Sequence, residues 1–258
     1  MAPVLSFRDV WVEYGEKVVL EKVSLTIDEG AFVSIVGPSG AGKSTFLRLV
    51  LGQESPTRGA IDLDGERLTA EPGPDRGVVF QRYSVFPHMT CLDNVMFGLE
   101  CKAAPVLSNL FGAARRRVRD EAAAMLEQVG LGDNLTALPR ALSGGMQQRL
   151  AIAQALVMKP RILLLDEPFG ALDPGVRLDM HGLITGLWRE HGLTILMVTH
   201  DIKEAFTLGT RVLAFDKRRR DAQAPHRYGA TAVYDFPLDK PASRRVPAAI
   251  AELITQQQ

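Results

Sequence analysis

AFVSIVGPSGAGKST, residues 31–45, decides the fold. Residues 31–36 are an apolar run containing Phe, Val and Ile and bounded by glycines, which reads as a short buried strand. GPSGAGKST, residues 37–45, fits G-x-x-x-x-G-K-[ST], and KSTFLRLVL after it reads as a helix that Gly52 ends. A strand, a glycine-rich loop and a helix in that order form the context a phosphate loop requires. Gly37, Pro38, Ser39, Gly40, Ala41 and Gly42 would let backbone N–H groups approach phosphate oxygens, and the helix start adds its positive dipole end. Lys43 would sit against the β- and γ-phosphates, and Ser44, followed by Thr45, would hold Mg²⁺ through its hydroxyl.

Three other strand ends carry polar residues that belong with this loop. RILLLDEP, residues 161–168, is a buried run closing on Asp166 and Glu167. Ligands of open α/β sheets bind at the carboxyl ends of the strands. Asp166 can therefore reach the Mg²⁺ shell, and Glu167 can act as general base toward an attacking water. TILMVTHD, residues 194–201, repeats the pattern and places His200 for a γ-phosphate contact. GVVFQ, residues 77–81, ends on Gln81, which could touch either Mg²⁺ or the water.

The remaining pattern fills in the architecture. Residues 4–37 read as strands and turns, and Asp64-Gly65 marks a hairpin. MTCLDNVMFGLE and RRVRDEAAAMLEQVGLG have helical spacing, with residues 99–115 between them reading as an irregular, inserted stretch. A helix is expected over residues 178–191. After Phe215 the signal weakens into a charge run, a short possible strand and a possible C-terminal helix. Apolar strands alternating with helices predict an α/β fold with a parallel sheet. The expected organisation is a P-loop NTPase core with an N-terminal antiparallel β subdomain and an inserted α-helical subdomain. The main domain spans residues 4–240, the helical part residues 84–158, and the tail residues 241–258.

LSGGMQQR, residues 142–149, is a second anion-binding signal. Ser143 supplies a hydroxyl, Gly144 and Gly145 supply backbone N–H groups, and a helix follows with Leu150, Ala153, Leu156 and Val157 on one face. Phosphoryl transfer needs charge stabilisation at the γ-phosphate, and no arginine finger is evident. A two-fold dimer would meet that need, each phosphate loop facing the Ser-Gly-Gly of the other copy.

Composition limits the partners. The chain has 258 residues, 46% hydrophobic, with 30 basic against 30 acidic side chains. Balanced charge argues against a dedicated nucleic-acid binder. The two cysteines, Cys91 and Cys101, lack metal-ligand spacing and read as reduced thiols of a cytosolic protein. There is no secretory signal, and no apolar run approaches the ~20 residues of a membrane helix. A membrane role would therefore come through a partner.

Taken together, these motifs resemble the ATP-binding subunits of ABC transporters, over nearly all of residues 4–215. The phosphate loop, the glutamine loop at Gln81, the signature LSGGMQQR, the strand ILLLDEP, the loop GALD ending at Asp173, and the switch His200 occur in family order. The resemblance implies ATP and Mg²⁺ as cofactors, ATP hydrolysis that reopens a closed homodimer, and a peripheral place on the cytoplasmic face of the inner membrane. It implies that Tyr14, in VEYG, stacks on adenine and that Asp173 communicates across the dimer. It also implies that residues 81–90, including the apolar Val85, Phe86 and Pro87, grip a transmembrane permease subunit, with a solute-binding protein in the complex. DEPFGALD and GLWREHGLTILMVTHDIKEA resemble importers of nitrate, sulfonate or taurine-type solutes. The alternatives are an exporter subunit, a soluble ATPase of the same type acting on nucleic acid or the ribosome, and a regulatory nucleotide binder. The coiled-coil insertions or paired ATPase domains of the soluble type are missing, and the regulatory type would be expected to lose Glu167 or His200. The chain departs from the family pattern at Gln154, where many members have arginine. It also departs at residues 102–117, which look long, and at residues 217–237, which look basic and irregular. The arginines at 115–117 and the run 217–220 read as solvated faces.

Overall fold

The structure is a computed structural model and describes residues 3–81, 84–103 and 110–238. The C-terminal tail and its possible helix, Tyr83 and residues 104–109 lie outside the described residues. The chain divides into two compact units: Met1–Gly73 with Leu164–Glu167 and Trp188–Gln258, and Pro74–Leu163 with Pro168–Leu187.

In the first unit, β1 (Pro3–Tyr14), β2 (Lys17–Asp28), β4 (Arg58–Leu63) and β5 (Glu66–Arg67) pair antiparallel, as expected of the N-terminal region. The β4–β5 turn is at Asp64 (φ 52°) and Gly65 (φ 81°), the two-residue geometry that matches strand twist. β3 (Phe32–Val36) lies between β8 (Thr194–Val198) and β9 (Arg211–Lys217), parallel to both. All five residues of β3 and of β8 are buried, which explains their continuous apolar runs. β10 (Ala230–Pro237) pairs antiparallel with β9 and meets β2 in parallel. The strand order is β5-β4-β1-β2-β10-β9-β3-β8, followed by the end of β7 (Ile162–Asp166).

α1 (Lys43–Leu51) follows β3 and stops at Gly52. Phe46 on α1 stacks on Phe7 with centroids 4.7 Å apart and meets Phe215 at 5.1 Å, so the helix is keyed to both β1 and β9. α6 (Ile202–Leu208), unread in the sequence, buries Ala205 and Phe206 against Val36, Val212 and Ala214. The Trp188 indole donates to the Gly30 carbonyl at 3.0 Å and packs edge-on to Phe32.

The second unit is helical, with β6 (Arg76–Val79) beside the start of β7. α2 (Cys91–Ala103) and α3 (Gly112–Gln128) pack with α4 (Gly144–Leu156), and α5 (Pro174–His191) follows β7. Both ends of the irregular stretch expected over residues 99–115 are helical, since α2 continues past the buried Leu99 to Ala103 and α3 starts at Gly112. α5 begins four residues earlier than expected, since Pro174 suits a first helical position and the Asp173 carbonyl accepts from Arg177 N–H at 2.9 Å.

On α4 the expected stripe of Leu150, Ala153, Leu156 and Val157 is buried. Buried Gln148, Ala151 and Ile152 join it, so the helix is enclosed on more than one face. Residues 218–220 of the basic run are exposed, as expected, with contacts at the surface. Arg219 pairs with Glu21 and lies 4.3 Å over Tyr228, Arg220 pairs with Asp216 at 2.9 Å, and the Lys217 ammonium donates to the Pro225 carbonyl at 2.7 Å. The short possible strand read after the charge run is β10, which pairs along β9 with one register shift between Ala232 and Tyr234.

Candidate active site

A cleft of about 430 Å³ in the first unit is lined by Tyr14, the loop glycines Gly37, Gly40 and Gly42, Lys43, Ser44, Thr45, Glu167 and His200. Residues from β1, β3–α1, β7 and β8 thus converge. Gly42, at φ 73°, precedes α1, and no side chain caps that helix, so its first-turn N–H groups are left for the cleft. Ala41 and Pro38 are buried, while Ser39 and Gly40 are exposed.

Two loop glycines are glycine for different reasons. A Cβ on Gly37 would lie 2.2 Å from the Phe215 carbonyl oxygen, so this position is set by the close approach of β9. A Cβ on Gly40 would meet nothing within 4 Å, so only its φ of 78° favours glycine.

Lys43 is 9% exposed, and its ammonium donates to the carbonyls of Gly37 at 2.7 Å and Pro38 at 2.9 Å. Burial pushes its pKa down, and the charges of Glu167 and Asp166 oppose that shift. Asp166 is pushed up by burial first and by the Glu167 charge second. A hydrogen bond from Ser44 and the charges of Lys43 and Arg48 pull it back.

Glu167 leaves the strand in the left-handed region, at φ 48°, with its N–H donating to the Val198 carbonyl at 2.9 Å. A non-glycine residue there costs about 1–2 kcal/mol, and such strain clusters at functional sites. Its Oε2 lies 3.5 Å from His200 Nδ1. His200 is fixed through both neighbours. Thr199 N–H donates to the Ile35 carbonyl at 3.1 Å and its hydroxyl donates to buried Glu204, while Asp201 caps α6 by accepting from Glu204 N–H at 3.1 Å.

Tyr14 ends β1 with 47% of its surface exposed, and its hydroxyl donates to Glu54. Burial, then the hydrogen bond to Glu54, push its pKa up. Lys17, Arg48 and Lys217 also line the cleft and were missed in the sequence. Arg48 was within reach of sequence reasoning, one helical turn beyond Ser44. Lys17 and Lys217 depend on strand pairing, Lys17 opposite Tyr14 and Lys217 at the end of β9.

Gln81, Ser143, Gly144, Gly145 and Asp173 belong to the second unit. β6 stops at Val79, so Gln81 stands two residues beyond the strand and is exposed. Ser143 caps α4, its Oγ accepting from Met146 N–H at 3.3 Å. Ser143 and Gly144 are exposed, whereas Gly145 is buried and a Cβ there would sit 2.5 Å from Val176 Cγ1. Asp173 is exposed at the start of α5.

Within the same unit, Phe86 packs edge-on to Phe97, with centroids 4.9 Å apart, beside a cavity of about 240 Å³. Asn94, 2% exposed, holds the preceding loop. It accepts from Phe86 N–H at 2.8 Å and donates to the carbonyls of Phe86, Met89 and Thr90 at 3.1, 3.0 and 2.9 Å. Gln154, the departure from the family pattern, donates to the Asn94 side chain at 3.0 Å. Among the described residues no helix is long and apolar enough to cross a membrane.

Comparison with known proteins agrees with this geometry. The family model described as ABC transporter matches residues 20–170, more than half of the chain. The nitrate import ATP-binding protein NrtD of Synechocystis sp. is 46% identical over 204 residues, covering 79% of this chain and 73% of the relative. The aliphatic sulfonates import ATP-binding protein SsuB 1 of Burkholderia lata is 43% identical over 240 residues, covering 93% of this chain and 66% of the relative. A dimeric post-hydrolysis structure of the ATP-binding cassette MJ0796, bound to ADP and Pi, is 31% identical with a TM-score of 0.72, covering 92% of this chain and 99% of that one. The cbiO1 structure from Clostridium perfringens, part of the ABC transporter complex cbiONQ, shares the fold at 23% identity and a TM-score of 0.77, covering 99% and 93%. With its phosphate loop, strand-end acids and signature helix in place, this chain belongs to the ABC transporter family, as an ATP-binding subunit that hydrolyses ATP.

Proposed function

We propose that the chain powers import of a small solute of the nitrate, sulfonate or taurine type, through ATP-driven closure of a cassette homodimer. The observation that carries the reading is the meeting of Glu167 and His200, 3.5 Å apart, on the cleft that also holds Lys43 and Ser44. In this reading Lys43 and the amides of residues 37–45 bind phosphates, Tyr14 stacks on adenine, and His200 contacts the γ-phosphate. Glu167 takes the proton of the attacking water at its carboxylate. Ser143, Gly144 and Gly145 of one copy complete the site of the other, and Asp173 communicates between them. The nitrate- and sulfonate-import names of two relatives support the solute class, and the dimeric cassette at 31% identity supports the assembly.

The donor set suits Mg²⁺, which takes hard oxygen ligands, retains several waters and shares substrate phosphates. The Ser44 hydroxyl lies close enough to the Asp166 carboxylate to pull its pKa down, so two such oxygens lie near each other. With Gln81 they would hold the ion, which would neutralise charge on the phosphates. Residues 4–240 would form the ATPase domain, with residues 84–158 as its helical part. The loop over residues 81–90 would dock a permease subunit, which keeps the chain peripheral on the cytoplasmic face of the inner membrane, beside a solute-binding protein and without nucleic acid.

Glu167→Gln tests the assignment. It should leave ATP binding intact and lower turnover by at least about 10²-fold, the contribution of a general base. Normal turnover in that variant would remove Glu167 from the role.

A further inference from the structure

Polar contacts link Tyr14 to α1 on the wall of the nucleotide cleft. The Tyr14 hydroxyl donates to Glu54 Oε1. Arg48 Nε lies 3.8 Å from Glu54 Oε2, and Arg48 Nη2 donates to Thr45 Oγ1 at 3.2 Å. The members come from the end of β1, from α1 and from the segment after α1.

Packing alone does not fix the Tyr14 ring, which is half exposed. The Glu54 side chain is only 17% exposed and receives both Tyr14 and Arg48, so it is the better-fixed end of the contact. α1 also carries Lys43 and Ser44. The chain of contacts through Glu54 and Arg48 thus ties the face that would meet a base to the helix that would meet the phosphates.

We infer that Glu54 is a positioning residue for nucleotide binding, holding the Tyr14 ring in register with the phosphate cradle. The inference rests on the reading of Tyr14 as the base-stacking residue. An aromatic surface already held in its bound orientation loses less freedom when the ligand arrives. Stacking engages the face of a base and tolerates any base, so ATP and GTP should respond alike. Inorganic tripolyphosphate, which has no base, should not respond.

The test is calorimetric titration of the full chain with ATP, GTP and tripolyphosphate. Tyr14→Ala should weaken ATP and GTP by about tenfold or more. Glu54→Ala and Tyr14→Phe should each weaken both by about threefold to tenfold, the loss of one hydrogen bond. Their combination should be no worse than either alone, because both remove the same contact. Glu54→Gln keeps an acceptor oxygen and should recover most of the affinity. Tripolyphosphate binding should match the parent throughout. If Tyr14→Ala binds ATP normally, the base-stacking reading fails and takes the inference with it. If Tyr14→Ala is weak but Glu54→Ala and Tyr14→Phe bind normally, only the inference fails. If Glu54→Ala weakens tripolyphosphate as much as ATP, Glu54 supports the cradle instead, and the inference is overturned.

Discussion

Replacing Gly37 by alanine separates two explanations of a glycine-rich loop. A Cβ at Gly37 would lie 2.2 Å from the Phe215 carbonyl oxygen and 3.1 Å from its carbonyl carbon, both backbone atoms. Relief to an ordinary contact demands a movement of roughly 1 Å, and rotating a side chain cannot supply it. The strands involved are paired from Val33↔Arg211 to Val36↔Ala214, so the shift would strain that ladder. Overpacking costs about 1–3 kcal/mol, and the positive φ adds about 1–2 kcal/mol, giving roughly 2–5 kcal/mol. Gly40→Ala is the matched control, with nothing within 4 Å and only the backbone cost of about 1–2 kcal/mol. For a chain of this size the midpoint should fall by about 2–4 °C per kcal/mol. Thermal unfolding without nucleotide should therefore place Gly37→Ala well below Gly40→Ala. Equal midpoints for the two variants would refute the argument that β9 dictates the first loop glycine.

Burial and the Glu167 charge raise the Asp166 pKa, so the folded chain loses stability as pH rises from the ordinary carboxylate value through the raised one. Asp166→Asn removes that loss, so without Mg²⁺ and nucleotide its melting-point advantage over the parent should grow from pH 4 to pH 8. Asn94→Ala strips a buried amide of its bonds to Phe86, Met89 and Thr90, and should cost about 2–4 kcal/mol in urea unfolding. It should also speed amide exchange of Phe86. Gly145→Ala would press on Val176 Cγ1 at 2.5 Å and should destabilise by about 1–2 kcal/mol. Val176→Ala in the same chain should restore most of that loss in a double-mutant cycle.

The sequence was most informative where one strand, loop or helix carried its own signal. Residues 31–45 form β3, the loop and α1 as read, because burial on both faces and a glycine-rich turn are local properties. Asp166, Glu167 and His200 were found as polar residues after apolar runs, and the structure brings all three to the first unit. Features set by pairing between distant segments were not legible. Lys217 reaches the cleft only because β9 runs beside β3, and no local pattern announces that neighbour. The charge run after Phe215 is exposed as read, but its partners were not legible, because Glu21 and Tyr228, which meet Arg219, are remote or unremarkable in sequence. Gln154 stood out as a departure, but its meaning required Asn94, sixty positions earlier on α2.

The left-handed backbone at Glu167 sets stability against turnover at a single position. Glycine and asparagine adopt that conformation with less strain, yet neither carries a carboxylate to the water. A library of variants screened only for heat resistance should therefore enrich Gly or Asn at residue 167 and drift toward inert cassettes. Keeping glutamate there would mark a chain selected for its chemistry over its rigidity.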